Sequence, residues 1–472
     1  MAEFTEGSQQ HQQTKMMNKR PAKNAIVEGR SHRQQSSIQI RKSKRTVEQK
    51  QRREDDRPPM DISFHLLKEC ALDTYNGMNL LRRCTTDPTP EILAYLFDQQ
   101  LIRLVLLELE NNDNLNVLVE GVWALSNLCC VDDLYVQKLV IYYPVINVFC
   151  HLFIHSPHEF IREQAIIGCG NLAIHSGAYA KEMIENGVME KLISDLYEPL
   201  GPTLLNNETW ALAMFCRHRI YESDDKDKQL MEGIRQLLFQ QGLPKQVYHH
   251  LALALCRLIE RSEDLLWIFV KEDYGRLLID SGLLKLDHQT TAEQLETGLK
   301  LLGTVAESKF TNYVIEIGGW DILHQLLDVK DVQQTAAWVL SNMCVDSHPP
   351  DAICQQVTEL LRDAPLDTRK ELVWVLHNLL GDWSWFRGHF TLVTEIAALG
   401  ELLEYQNDVD HLIAVMDTLL VMFAKDERDE VKQLIEMTVP TDMVDKLIDH
   451  PNSLVRSKAG DLEALIGDGY DE

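Results

Sequence analysis

Three times in this chain a tryptophan stands four residues before an asparagine: Trp123-Ala-Leu-Ser-Asn127, Trp338-Val-Leu-Ser-Asn342 and Trp374-Val-Leu-His-Asn378. On a helix that spacing puts both side chains on one face, one turn apart. A row of indoles with gaps between them suits the aliphatic stems of Lys and Arg. Each ring face favours the charged end by roughly 0.5–2 kcal/mol. An Asn amide carries both donor and acceptor, so it can pair with the N–H and C=O of an extended peptide. The chemistry is recognition rather than catalysis. A lone helical Trp is usually core filler, but recurrence in register argues against that here. Trp267, Trp320, Trp383 and Trp385 lie outside the block and read as core.

The block belongs to a longer series. Related copies are Ile167-Gly-Cys-Gly-Asn171, Trp210-Ala-Leu-Ala-Met214, Leu251-Ala-Leu-Ala-Leu255 and a weaker Lys300-Leu-Leu-Gly-Thr304. Their fifth positions are 44, 43, 41, 49, 38 and 36 residues apart. A second block, a Gly followed by apolar helix, recurs in Asn186-Gly187, Ser281-Gly282 and Gly318-Gly319. Helix-period apolar spacing runs from Pro59 to about residue 466, without strand alternation. A period near 42 made of helices is the armadillo/HEAT signature. It predicts an all-α solenoid of about nine or ten repeats, including a degenerate first and last, with the armadillo-repeat right-handed superhelix as the expected fold. Each unit is too small to bury its own apolar face, so stacked neighbours must share one core.

Charge divides the chain. Residues 1–57 carry 14 Lys/Arg against 7 Asp/Glu, a net of +7, whereas 58–472 carry a net of −33. The arm has too few large apolar residues for a core, so it reads as largely disordered. Pro58-Pro59 closes it off. We therefore divide the chain into a basic arm (1–57), a solenoid (58–467) and a short acidic tail (468–472). An acidic body repels phosphates and disfavours nucleic acid as a partner. It favours a basic ligand. No run of apolar residues is long enough to cross a membrane, and Met1 to Lys23 lacks the apolar stretch of a secretory signal. Ten scattered cysteines read as free core thiols of a reducing compartment. Neither Cys nor His shows metal-ligand spacing, and no phosphate loop or nucleophile motif occurs, so no metal, cofactor or enzymatic activity is expected.

The ordered set of features resembles the importin-α (karyopherin-α) family over about residues 18–467. Ile38-Gln-Ile-Arg-Lys-Ser-Lys-Arg45 together with Lys50-Gln-Arg-Arg-Glu54 is similar to that family's importin-β-binding segment. Trp210-Ala-Leu-Ala-Met-Phe-Cys-Arg217 is close to its fourth armadillo repeat. The resemblance implies a major site for basic nuclear localisation signals at Trp123, Asn127, Glu163, Asn171 and Trp210. It implies a minor site at Trp338, Asn342, Glu371, Trp374 and Asn378. It also gives Arg41, Lys42, Lys44, Arg45, Arg52 and Arg53 an importin-β-binding and self-inhibiting role. Six residues depart from the family pattern: Ile167 replaces a Trp, Met214 an Asn, His175 an Asp, Gln51 a Lys, Lys300 an Arg and Thr304 an Asn. The N-terminal site is thereby expected to be the weaker one.

The resemblance implies a nuclear import adaptor. It would shuttle between cytoplasm and nucleus, carrying signal-bearing cargo to importin-β and meeting an export receptor at its last repeats. The competing reading is a catenin-like armadillo scaffold without transport function. Its groove would carry Lys and Arg, against the acidic body found here.

Overall fold

The computed structural model describes residues 74–218, 224–240, 242–405 and 408–467. The basic arm, with Arg41 to Arg53, and the tail 468–472 lie outside the described residues. Every regular element among the described residues is a helix. The chain divides into two compact units, with the boundary between Ser281 and Gly282.

In the first unit, five helices occupy equivalent places in successive repeats. They are α1 (Thr74–Thr86), α2 (Leu115–Leu128), α3 (Glu159–His175), α4 (Pro202–Phe215) and α5 (Lys245–Ile259). Each packs on the one before it. The second unit repeats the plan with α6 (Ala292–Glu307), α7 (Gln333–Met343), α8 (Leu366–Leu379), α9 (Val409–Lys425) and α10 (Ser453–Gly467), again stacked in order. These ten helices among the described residues agree with the nine or ten repeats expected. Shorter helices run between them, mostly in pairs such as Asp133–Tyr142 and Val145–His155.

The helix starts are written in the sequence. Asn114 caps α2 by accepting from the Asn116 N–H at 3.0 Å, and Asp408 caps α9 through the His411 N–H at 3.1 Å. Thr291 and Gln294 form a reciprocal capping box at α6. Pro202, first residue of α4, needs no N–H there. The second block is right at Gly187 and Gly318, whose φ of 90° and 96° turn the chain between two short helices. It fails at Gly282. There Leu283 and Leu284 lie in a turn, and Gly282 (φ 79°) instead ends helix Tyr274–Asp280. The left-handed step before that helix is taken by Asp273, a residue that tolerates φ of 59°.

Stacking depends on small residues at the seams. A Cβ on Gly168 would come within 2.6 Å of the Phe149 ring. One on Gly170 would overlap the Trp210 ring, and one on Gly303 the Trp338 ring. Thus the residue just before the block's fifth position receives the indole of the next repeat. Apolar residues fill the rest: Val122, Ala124, Leu125 and Leu128 of α2 are all buried, each large one contributing about 1.5–3 kcal/mol. One charged cluster lies among them. Arg162 of α3 binds Asp195 at 2.6 Å and Glu208 at 2.9 Å, and burial raises the Glu208 pKa.

The tryptophans outside the block are not core, contrary to expectation. Trp267 is 49% exposed, with Lys271 one turn on and 4.9 Å over its ring. Trp385 stacks between His348 at 4.3 Å and His389 at 4.1 Å. Trp320 and Trp383 are half-buried. A cation or imidazole covers the first two rings in place of a core.

Candidate peptide-binding sites

In the first unit the expected residues fall on three helices packed in order: Trp123 and Asn127 on α2, Glu163 and Asn171 on α3, and Trp210 on α4. Trp123 and Trp210 are half-buried, as an indole wall should be. Trp210 lies against Gly170 of the preceding repeat. Trp123 is covered on two sides. The Arg82 guanidinium carbon sits 4.5 Å from its ring centroid, and the Phe160 ring packs 5.7 Å away at 59°. Arg82 also binds Glu120 through Nε at 2.5 Å.

The asparagines are placed otherwise than a ligand-reading role alone would require. Asn127 is 4% exposed, and its Nδ2 lies 3.4 Å from the Arg82 carbonyl and from the Thr85 and Thr86 hydroxyls. Asn171 is 2% exposed, with Nδ2 donating to the Ser126 carbonyl at 3.4 Å and lying 2.8 Å from Cys130 Sγ. In the second unit Asn342, fully buried, donates to the Gly303 carbonyl at 3.5 Å. Asn378 donates to the Ser341 carbonyl at 2.8 Å. Each amide therefore links its helix to the one a repeat earlier. Recurrence in register therefore does not exclude a packing role: stacked helices leave carbonyls at the seam, and a buried donor satisfies them.

The carboxylates differ in setting. Glu163 is 8% exposed, and among the described residues no cation pairs with it. Burial, and then the nearby Glu159 charge, push its pKa up to about 7. It shares a face of α3 with Phe160 and Ile167, three residues before it and four after. Glu371 is buried three residues before Trp374 on α8, matching the offset of Glu120 from Trp123. Trp374 is half-buried and meets the His377 ring edge-on at 5.8 Å. Trp338 is the exception among the four indoles: it is only 6% exposed.

His175 has a definite place. Its Nδ1 is 2.6 Å from Asp133 Oδ1, and its Nε2 is 3.2 Å from the Cys129 carbonyl at the end of α2. One repeat on, His218 Nε2 reaches the Ala173 carbonyl at 2.6 Å. A further repeat on, Arg261 reaches the Cys216 carbonyl and, at 2.7 Å, the His218 carbonyl. All three supply donors to the open carbonyls of the preceding helix end. They stand 43 and 43 residues apart, a period legible in the sequence. Arg82 and Phe160 carried no such signal, because their roles arise only when repeats stack.

No protein-family model matches the chain. It is 27% identical to importin subunit alpha-8 of Arabidopsis thaliana over 372 residues, covering 75% of this chain and 80% of that one. It is 25% identical to importin subunit alpha-1b of Oryza sativa subsp. japonica over 241 residues, 49% of this chain and 42% of the relative. Among solved structures, an engineered protein superposes with a TM-score of 0.66 over 86% of this chain and 97% of its own, at 18% identity. The last of these speaks to the fold alone. Repeat period, seam-packed indoles and the two importin likenesses converge: the chain is a divergent importin-α-like armadillo-repeat protein.

Proposed function

We propose that the protein is a nuclear import adaptor. Its first unit would bind basic, extended cargo signals along α2, α3 and α4, and its second unit along α7 and α8. The basic arm would link the complex to importin-β through Arg41, Lys42, Lys44, Arg45, Arg52 and Arg53. The last repeats are the proposed contact for an export receptor, and the protein would shuttle between cytoplasm and nucleus. The observation that carries the binding reading is Glu163. A carboxylate more than nine-tenths buried, beside Phe160 and with no cation of its own among the described residues, is held at a cost that a ligand's ammonium or guanidinium would offset. The net charge of −33 over 58–472 draws such a ligand in.

The arm would act as a tethered competitor for the same surfaces, since a linked segment acts at an effective concentration on the order of millimolar. Calorimetry with a lysine-rich signal peptide at fixed salt tests both ideas. Full-length protein should bind the peptide and not an acidic control, and removing residues 1–57 should tighten binding. Equal affinity for the two peptides would refute the adaptor reading. Unchanged affinity after removal of the arm would refute self-competition only.

A further inference from the structure

The first unit has one complete Trp–Asn pair, Trp123/Asn127, and one face of its indole is already covered. Arg82 lays its guanidinium 4.5 Å from the ring centroid, the position a bound cation would take on an aromatic face. The same group is ion-paired to Glu120 at 2.5 Å, with the side chains of Arg82 and Glu120 only 7% and 12% exposed. Phe160 covers a further part of the indole. Arg82 is also fixed by its backbone: its carbonyl accepts from the Thr85 and Thr86 hydroxyls at 2.9 and 3.0 Å and from Asn127 at 3.4 Å. The cation, the anion and the aromatic wall of a binding slot are therefore all supplied by the chain itself.

We infer that Arg82 is a built-in occupant of the Trp123 slot and sets the specificity of the first unit. Trp123 is closed to a ligand's basic side chain, and the cation of a bound peptide goes to Glu163 instead. This rests on the peptide-binding reading above and deepens it. Arg82 of α1 is held against α2 by its buried ion pair with Glu120, so displacing it would leave Glu120 buried and unpaired. A flexible ligand lysine has no advantage with which to expel it. A peptide on this unit is accordingly read by the acid on α3 rather than by the indole on α2.

The test is a mutant cycle in the full-length protein, using a lysine-rich peptide and calorimetry at fixed salt and pH 7.5. Trp123→Ala should change affinity less than about twofold, and Glu163→Gln should weaken it about fivefold or more. Arg82→Ala should open the slot, leave Glu120 in need of a cation, and tighten binding about fivefold or more. That gain should vanish in Arg82→Ala/Trp123→Ala. Trp123→Ala weakening the wild type as much as Glu163→Gln would overturn the inference, because the indole would then be serving the ligand. Arg82→Ala that stays folded by circular dichroism and gains nothing would overturn it as well. If Arg82→Ala does not fold, the comparison of Trp123→Ala with Glu163→Gln decides alone. Absence of binding in the wild type and in Arg82→Ala alike would remove the peptide-binding reading itself, and this inference with it.

Discussion

Glu163→Gln should change stability with pH in a way that no partnered carboxylate would. In the unfolded chain a glutamate loses its proton near 4.5, whereas in the folded protein Glu163 holds it to about 7. The folded state thus binds this proton more tightly. Its contribution to stability is complete below pH 4.5 and is lost as pH rises to 7. At 1.36 kcal/mol per pH unit, the loss above pH 8 is on the order of 3 kcal/mol. Glutamine imitates the protonated acid, so the variant should match wild type near pH 4.5 and exceed it by about that amount at pH 8. Urea unfolding of both proteins at intervals across this range measures the difference directly. A difference that is flat with pH would refute the reasoning. The same group links to binding: a ligand cation at Glu163 should expel its proton. Calorimetry in buffers of unlike ionisation enthalpy at pH 7 should show proton release in wild type and none in Glu163→Gln.

The seams between repeats give further expected outcomes. Asn342→Ala should lower stability by about 1–3 kcal/mol, because it strips a donor from the buried Gly303 carbonyl; an asparagine serving a ligand alone would leave the urea midpoint unmoved. Gly303→Ala drives a Cβ into the Trp338 ring and should destabilise by about 1–3 kcal/mol. Gly460→Ala in α10, with nothing within 4 Å, should instead stabilise by roughly 0.5–1 kcal/mol through helix propensity. Equal effects at the two glycines would contradict the packing described. Raising salt should weaken peptide binding until the screening length nears 8 Å, about 0.15 M, and then level off; complete loss would mean that attraction is diffuse.

The repeat architecture was legible because two periods are written in the chain at once, 3.6 within helices and about 42 between them. The left-handed turns at Gly187 and Gly318 were legible for the same reason, and Gly282 shows the limit. A glycine before apolar residues marks a left-handed step, but not which of two neighbouring helices it serves. The Trp-to-Asn spacing correctly put both side chains on one face. It did not say that this face adjoins the previous repeat as well as solvent. That depends on how far one helix rises over the next, which no local pattern encodes. Hence Asn127, Asn171 and Asn342 are buried donors, Trp338 is nearly sealed, and Trp123 is met by Arg82 on the helix one repeat earlier.

The departures from the importin-α pattern make physical sense in terms of the seams. In the second unit Asn342 and Asn378 bridge their seams at mid-helix. In the first unit Asn127 and Asn171 do so, but Met214 offers no amide, and the bridge moves to the helix ends. There His218 donates to Ala173 and Arg261 to Cys216 and His218. His175 belongs to that same series and is held on its other nitrogen by Asp133. A basic side chain is favoured at a helix C-terminus, where the carbonyls carry partial negative charge; an aspartate there would face those carbonyls with like charge. The substitution at 175 thus joins helix ends while removing an anion from the surface, and Arg82 lies against the neighbouring indole. If a peptide binds this unit as proposed, Glu163 is the acid on α3 left to receive its cation. On the proposed peptide-binding reading, charge would be read at Glu163 near the beginning of α3, about three helical turns from His175 at its end.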